Sequence, residues 1–403
     1  MTELRRRSAI VVGGGPAGLA ATEVLAEAGW RVTIHERMPN PARKFLLAGR
    51  GGLNLTHSEP LDDFLSRYGA ARQRLEPAIR AFTPDDLRAW AARQGIETFV
   101  GSSGRVFPTM MKASPLLRSW LERLRRLGVE LVTRSRWTGW DGDAVSFETP
   151  GGIRRETPDA LVLALGGASW PRLGSDGSWT RLLVEREVKV TTLQAANSGF
   201  VTAWSDIFRK KFEGESLKGA VFGLAGSQVR GDAVITGYGI EGGPVYALGP
   251  AIRRALRDHG EASLEIDLAP DITSARLGQR LGSPGHQSMA NRLRRAGLSP
   301  VAAGLIREDC HGRDLPQSVE ALADRIKSCR LRLSAAGPIE RAISTSGGIC
   351  WKSVNTDYSL KGLPNVFVAG EMLDWDAPTG GYLLQACLAT GRAAGHGAAA
   401  KAA

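Results

Sequence analysis

Ala9-Ile10-Val11-Val12-Gly13-Gly14-Gly15-Pro16-Ala17-Gly18-Leu19 decides the fold. The apolar run ending at Val12 reads as a parallel strand buried on both faces. The glycines that follow contain G-x-G-x-x-G. Leu19 to Ala28 is rich in Ala, Leu and Glu and reads as a helix, and Gly29 closes it. Arg31 to His35 reads as the next strand, with Glu36 at its end.

Each part has a physical task. Gly13 permits the tight turn, Gly15 lets backbone approach a pyrophosphate, and Gly18 lets helix and strand pack closely. Pro16 and Ala17 open the helix, whose free N–H groups and positive dipole suit an anion. Glu36 stands where an acid accepts hydrogen bonds from a ribose, roughly 20 residues past the glycines. A lone glycine motif is weak, but here strand, glycines, helix, strand and acid come in order. The expectation is a dinucleotide-binding α/β unit.

At 403 residues, with 49 glycines and a net charge of +11, the composition is that of a soluble globular protein of two or three domains. No apolar run reaches the ~18 residues of a membrane span. Arg5-Arg6-Arg7 leads straight into the first strand, without the apolar region of a signal peptide. Cys310, Cys329, Cys350 and Cys387 lie far apart with no C-x-x-C, which argues against a zinc ribbon or a dithiol centre. No metal is expected, and reduced thiols make the cytoplasm the expected compartment. The basic balance favours an anionic partner, nucleic acid or acidic small molecules, or else solvated arginine faces.

Further along, Arg43-Lys44 through Gly51-Gly52-Leu53-Asn54 to His57 reads as a glycine-rich basic loop. Residues 60 to 95 read as helical, with Thr83-Pro84-Asp85-Asp86 a good helix start. Leu116 to Leu127 is an amphipathic helix, and Trp137 to Ile153 reads as a β-hairpin. Ala160 to Leu165, ending in Gly166-Gly167, is a second buried strand. From Gly199 to Ala269 short Val/Ile-rich segments separated by glycines predict an antiparallel sheet or barrel. From about 271 to 330 the chain turns helical and arginine-rich, Arg313 included. The first character returns near Pro338. Asn365 to Gly370 is a third buried strand running into Glu371 and Asp374. Gly380-Gly381-Tyr382 then opens a final helix, Leu383 to His396. The boundaries expected are 1–191 and 339–403 for one nucleotide-binding domain, and 192–338 for an insertion with a helical part at about 271–330.

Together with the Gly49-to-Thr56 loop, Gly104-Arg105-Val106-Phe107-Pro108, Ala164-Leu165-Gly166-Gly167-Ala168-Ser169, Ile343 to Ile349 and Ala369-Gly370-Glu371, these motifs carry a resemblance. The chain resembles the bacterial NAD(P)/FAD-dependent oxidoreductases of glutathione-reductase-like fold, also called NAD(FAD)-utilising dehydrogenases. The resemblance implies an α/β fold: a Rossmann-like FAD-binding domain with an inserted β-barrel-like domain and helical subdomain. It implies that Gly13, Gly15 and Gly18 hold the FAD diphosphate and Glu36, followed by Arg37, the adenosine ribose. Arg43, Lys44, Gly51, Gly52 and Asn54 would flank the cofactor, and Gly166 and Gly167 approach it. Gly370, Glu371 and Asp374 would lie near the ribityl chain, and Gly380, Gly381 and Tyr382 near the flavin ring. Many relatives read Gly-Arg-Cys-Asn in the loop where this chain has Gly51-Gly52-Leu53-Asn54, so a thiol proton donor there is replaced by Leu53.

The chemistry expected is FAD-dependent reduction of an electron-poor double bond, with NAD(P)H as a transient reductant. His57, Tyr382 and Cys350 are the candidate proton donors. The substrate stays open between uridine in ribosomal RNA, a small-molecule enone and an amine. A flavin-binding RNA-interacting factor without turnover is the alternative from another class. An NAD dehydrogenase is disfavoured, because the C-terminal return to the nucleotide domain is the FAD arrangement.

Overall fold

Ser8–Val12 (β1) is buried along its whole length, as an unbroken apolar run demands of a central parallel strand. The computed structural model describes residues 6–49, 51–282, 288–310 and 314–401. Arg5, Arg50 and Arg313 lie outside them. β1 pairs in parallel with Arg31–Glu36 (β2) on one side, in the register Val11↔Ile34. On the other it pairs with Ala160–Leu163, in the register Val11↔Val162. Val366–Val368 and Glu130–Thr133 form the two edges of this five-stranded parallel sheet. The chain leaves β1 towards β2 and later returns on β1's other side. Such a switch point opens a crevice beyond the carboxyl ends of the strands, where Gly13, Glu36, Ala164 and Ala369 stand.

Pro16–Glu27 (α1) crosses from β1 to β2 with Pro16 at its first turn. It lies against the long final helix Tyr382–Lys401. Inside its buried face sits Glu23, only 2% exposed. One of its carboxylate oxygens accepts from the indole N–H groups of Trp90 (3.1 Å) and Trp120 (2.9 Å). The other accepts from Arg123 Nε at 2.6 Å. A buried carboxylate is tolerable only when so fully satisfied.

Contacts divide the chain into two compact units, Met1–Gln194 with Ser344–Ala403, and Ala195–Ile343. The second unit is built on a seven-stranded antiparallel sheet. Its order is Cys329–Leu333, Ala262–Asp267, Ser216–Leu224, Ser227–Thr236, Gly239–Gly242, Phe200–Val201 and Ala335–Ala336. Phe200, Phe222, Ile235, Leu264 and Ile266 fill its core. Helices follow at Ser274–Leu281, Met289–Arg295, Pro300–Asp309 and Val319–Lys327.

The structure corrects three local readings. The basic loop expected from Arg43 begins as a helix, Arg43–Ala48 (α2), because Arg-Lys-Phe-Leu-Leu-Ala are good helix formers and Phe45 buries its ring. The hairpin expected at Trp137 to Ile153 is a three-stranded sheet, Arg136–Asp141, Ala144–Thr149 and Gly152–Glu156, since Gly151-Gly152 turns the chain a second time. The stretch from Gly199 to Ala269, read as short segments of a sheet or barrel, also contains the helices Asp206–Phe212 and Gly243–His259. Pro244 starts the second, Gly260 ends it in left-handed geometry, and Val245, Leu248 and Ile252 form its buried stripe.

Candidate functional site

The crevice at the switch point holds about 1010 Å³ of empty space, part of it open to solvent. Its floor is the turn after β1. A Cβ on Gly18 would lie 1.9 Å from the Gly13 carbonyl oxygen, so the turn seats directly on α1. At Gly15 an added Cβ would meet nothing. Backbone here faces empty space at a helix N-terminus, the arrangement that accommodates a diphosphate. Gly15, Pro16 and Ala17 line this part.

At the end of β2, Glu36 and Arg37 line the cleft. Glu36 accepts from the Gly14 and Met38 backbone N–H groups, each at 2.8 Å. Burial raises its carboxyl above the ordinary range, and those N–H groups oppose the rise. The same wall carries His35, fully buried and stacked on Phe147 at 3.8 Å, with Nδ1 2.8 Å from Ser135 Oγ. Burial, and then the Arg154 charge, push its pKa down to about 4, so the ring is neutral at pH 7.

Arg43 and Lys44, at the start of α2, line the cleft with Gly166 and Glu371. Lys44 Nζ donates to Glu371 Oε2 at 2.8 Å and to Ser169 Oγ at 2.5 Å. Glu371 also accepts from Gly167 N at 3.3 Å and Thr345 N at 2.9 Å. Gly167 thus belongs to the network behind the cleft. Gly370 lies behind it too, where its N–H donates to the Thr390 hydroxyl at 3.0 Å. Sequence reasoning missed Cys387, Trp137 and Ser175 among the lining residues. Burial pushes the Cys387 thiol up to about 12. Arg43 Nε, Trp137 Nε1 and Ser175 Oγ are buried without a partner in the protein. Open backbone at a helix start together with such unsatisfied groups fits a large polar cofactor of the FAD kind.

The remaining expected residues are not among those lining this cleft. Gly51, Gly52 and Asn54 follow α2, where the Leu53 side chain is 1% exposed and belongs to the core. The Asn54 side-chain oxygen is buried without a partner. Gly380 and Gly381 carry the chain into the final helix at φ +136° and +98°. A Cβ on Gly381 would lie 2.5 Å from Thr56 Cα, so the helix start is covered by the strand Thr56–His57.

There Tyr382 Oη donates to Glu59 Oε1 at 2.5 Å, and Arg67 grips Glu59 through Nε (3.2 Å) and a second nitrogen (2.6 Å). Burial raises the Tyr382 phenol above its ordinary pKa, with the Glu59 carboxylate adding to the rise. Burial also acts to raise Glu59, but the Arg67 and Tyr382 hydrogen bonds outweigh it and leave Glu59 lowered. His57 stacks on Tyr382 at 5.6 Å. Its Nδ1 accepts the Glu59 N–H at 3.2 Å, which leaves Nε2 to carry the proton donated to the Ser103 carbonyl at 2.9 Å. Cys350 is not in this group. Its sulfur lies 3.2 Å from the Thr191 hydroxyl, which donates to Asp374 at 2.6 Å. The bond of Glu59 to Tyr382 had no local signal, since the two stand 323 positions apart.

A family model described as HI0933-like protein Rossmann domain matches residues 7–397. Among curated proteins, the chain is 26% identical to the 3-dehydro-bile acid delta(4,6)-reductase of Clostridium scindens, over 96% of this chain and 98% of that protein. It is 22% identical to the ribosomal RNA dihydrouridine synthase of Escherichia coli K12, over 95% of each. Among solved structures, 3-ketosteroid delta1-dehydrogenase from Sterolibacterium denitrificans, in complex with 1,4-androstadiene-3,17-dione, superposes with a TM-score of 0.53. It covers 98% of this chain and 100% of that chain at 13% identity, a likeness of fold.

Proposed function

This chain belongs to the HI0933-like Rossmann-domain family and is a FAD-dependent oxidoreductase, and from that premise we propose that it reduces a carbon–carbon double bond conjugated to a carbonyl in a small apolar molecule. The observation that carries the reading is the end-to-end similarity to a bile acid reductase, on a fold whose switch-point cleft suits the dinucleotide. NAD(P)H is the proposed hydride source.

FAD, when bound, supplies the hydride-transfer chemistry. The protein supplies binding and electrostatics. In this reading Gly13, Gly15 and the α1 N-terminus hold the diphosphate, and Gly18 seats the turn. Glu36 faces the adenosine ribose, pre-aligned by its two backbone N–H partners. Lys44 and Glu371 stand at the ribityl chain as an ion pair able to exchange partners with hydroxyl groups. The start of the final helix, at Gly380 and Gly381, is covered by the strand Thr56–His57 and is given no role at the cofactor, and Asp374 is held by Thr191. Among the three candidates for the proton, Tyr382 Oη is assigned, because its surroundings keep the phenol protonated and Glu59 and Arg67 link it to solvent. Both nitrogens of His57 serve backbone groups, and Cys350 shares the Thr191 hydroxyl.

A second reading, uridine in ribosomal RNA as substrate, is favoured by the dihydrouridine synthase relative and by the net charge of +11. One experiment separates the two. Anaerobic protein is mixed with NADPH or NADH while flavin absorbance is followed at about 450 nm, then given a steroid-like enone or deproteinised ribosomal RNA. Bleaching followed by recovery on the enone is the expected result. Recovery on RNA alone replaces the substrate proposal with the second reading. No bleaching with either nucleotide overturns NAD(P)H as reductant.

A further inference from the structure

Beyond the Gly166-Gly167 motif, the segment that follows the strand Ala160–Leu163 has no expected role at the cofactor, yet it shapes the cleft. It turns at Gly166, passes Trp170 in left-handed geometry (φ +61°) and the short helical turn Pro171–Leu173, then bends again at Gly174 (φ +104°) and Gly177 (φ +70°). Gly174, Ser175, Asp176 and Ser178 line the cleft. They face Arg37 and Met38, which continue from β2.

Arg37 Nη1 donates to Asp176 Oδ2 at 2.5 Å. The other Asp176 oxygen accepts from Ser178 N at 3.1 Å and Ser178 Oγ at 2.8 Å. The carboxylate is therefore fixed from both sides, and both partners of the ion pair keep 29% side-chain exposure. Met38 closes the same seam, since a Cβ on Gly174 would come within 2.8 Å of its Cγ. The base of the segment is tied separately, by the Trp179 indole N–H on the Gly166 carbonyl at 2.9 Å.

Ser175 gives an independent observation. It is 7% exposed, lines the cleft, and its Oγ has no partner in the protein. It sits 3.1 Å from where a Cβ on Gly166 would be, so the Gly166 backbone and this hydroxyl share one corner. A buried hydroxyl left unsatisfied is unfavourable, and in a cleft lined by a helix N-terminus its natural partner is a ligand.

We propose that residues 174–178 are a strap over the bound dinucleotide, that the Arg37–Asp176 ion pair latches it shut, and that Ser175 Oγ hydrogen-bonds the cofactor. The inference rests on the assignment of this cleft to FAD. The latch sits where its breaking opens the outer wall without disturbing β1 or α1. Because the pair is part-exposed, salt weakens it. The strap thereby governs how fast cofactor leaves, whereas the glycine turn governs whether it fits.

The test is the rate of FAD release from purified holoprotein, read as the gain of flavin fluorescence after dilution. Asp176→Asn and Arg37→Gln are each expected to release FAD about tenfold faster, an effect of ~1.4 kcal/mol. The double variant R37Q/D176N is expected to be no faster than the faster single variant, since both remove one interaction. Salt is expected to speed release from the wild type more than from Asp176→Asn. Ser175→Ala is expected to weaken FAD binding severalfold without lowering the melting temperature of the apoprotein. Release rates in the single variants within twofold of wild type, or independent additive effects in the double variant, overturn the latch. An unchanged dissociation constant in Ser175→Ala overturns the hydroxyl assignment. A wild-type protein that takes up no FAD overturns the cofactor assignment itself, and the strap with it.

Discussion

Two helices of the nucleotide unit begin after glycines, and the two starts are opposites. At Gly15 an added Cβ meets open space; at Gly381 it collides with the Thr56 backbone. The first glycine leaves a helix N-terminus uncovered, and the second lets a neighbouring strand cover one. Their carboxylates differ in the same sense. Glu36, beside the open end, is held by backbone N–H groups and raised by burial. Glu59, beside the closed end, is gripped by Arg67 and Tyr382 and lowered. A glycine before a helix is thus not in itself a ligand signal; what stands opposite the glycine decides.

The contrast yields predictions. The largest effect is expected at Gly381→Ala, which combines a backbone collision with positive φ. It should cost about 3–4 kcal/mol in chemical denaturation. Gly15→Ala, by contrast, should leave apoprotein stability within about 0.5 kcal/mol and weaken FAD binding roughly tenfold by titration. If both variants unfold alike, the distinction between the ends fails. Tyr382→Phe should cost about 1 kcal/mol, and the double variant with Glu59→Gln should cost less than the sum of the singles, because both lose the one hydrogen bond they share.

The same contrast extends to pH slopes. His35 is neutral in the folded state down to about pH 4, while the unfolded chain binds its proton below about 6.5. The unfolded state therefore holds more protons in that window, and stability falls as pH drops from 6.5 towards 4. Glu59 has its pKa lowered, so its contribution is present above the unfolded value and is lost as pH falls through the folded one. Stability profiles should show His35→Asn flattening the first window and Glu59→Gln the second. A variant acting in the other's window would break the comparison.

The sequence made one region legible and hid another for physical reasons. The apolar run Ala9 to Val12, the glycines and the Ala-rich helix are local patterns, and they led directly to β1, α1 and β2. The run Ala160 to Leu163 gave the next strand in the same way. Helix Gly243–His259 escaped because Gly243-Pro244 and Pro250 look like breakers, although Pro244 sits harmlessly in the first turn. Arg43–Ala48 was masked by the glycines that follow it. Ser175, Trp137 and Cys387 reach the cleft only through the tertiary fold, with no spacing that marks them. The Glu59–Tyr382 bond joins residues 323 positions apart, beyond any local period. His57 draws attention as a histidine closing the glycine-rich loop, yet only the structure shows both ring nitrogens engaged with backbone.

The buried Glu23 gives the nucleotide unit an optical signature. The Trp90 and Trp120 rings meet edge to face at 4.8 Å, and both indole N–H groups point at one carboxylate. Two coupled chromophores in a fixed, asymmetric arrangement produce strong near-ultraviolet circular dichroism. The share of that signal from Trp90 and Trp120 depends on α1 being docked, whereas the edge-to-face pair Trp137 and Trp140, at 5.0 Å, reports on the cleft that Trp137 lines. The molecule therefore carries its own spectroscopic gauge of whether α1 is seated, readable before any cofactor is added.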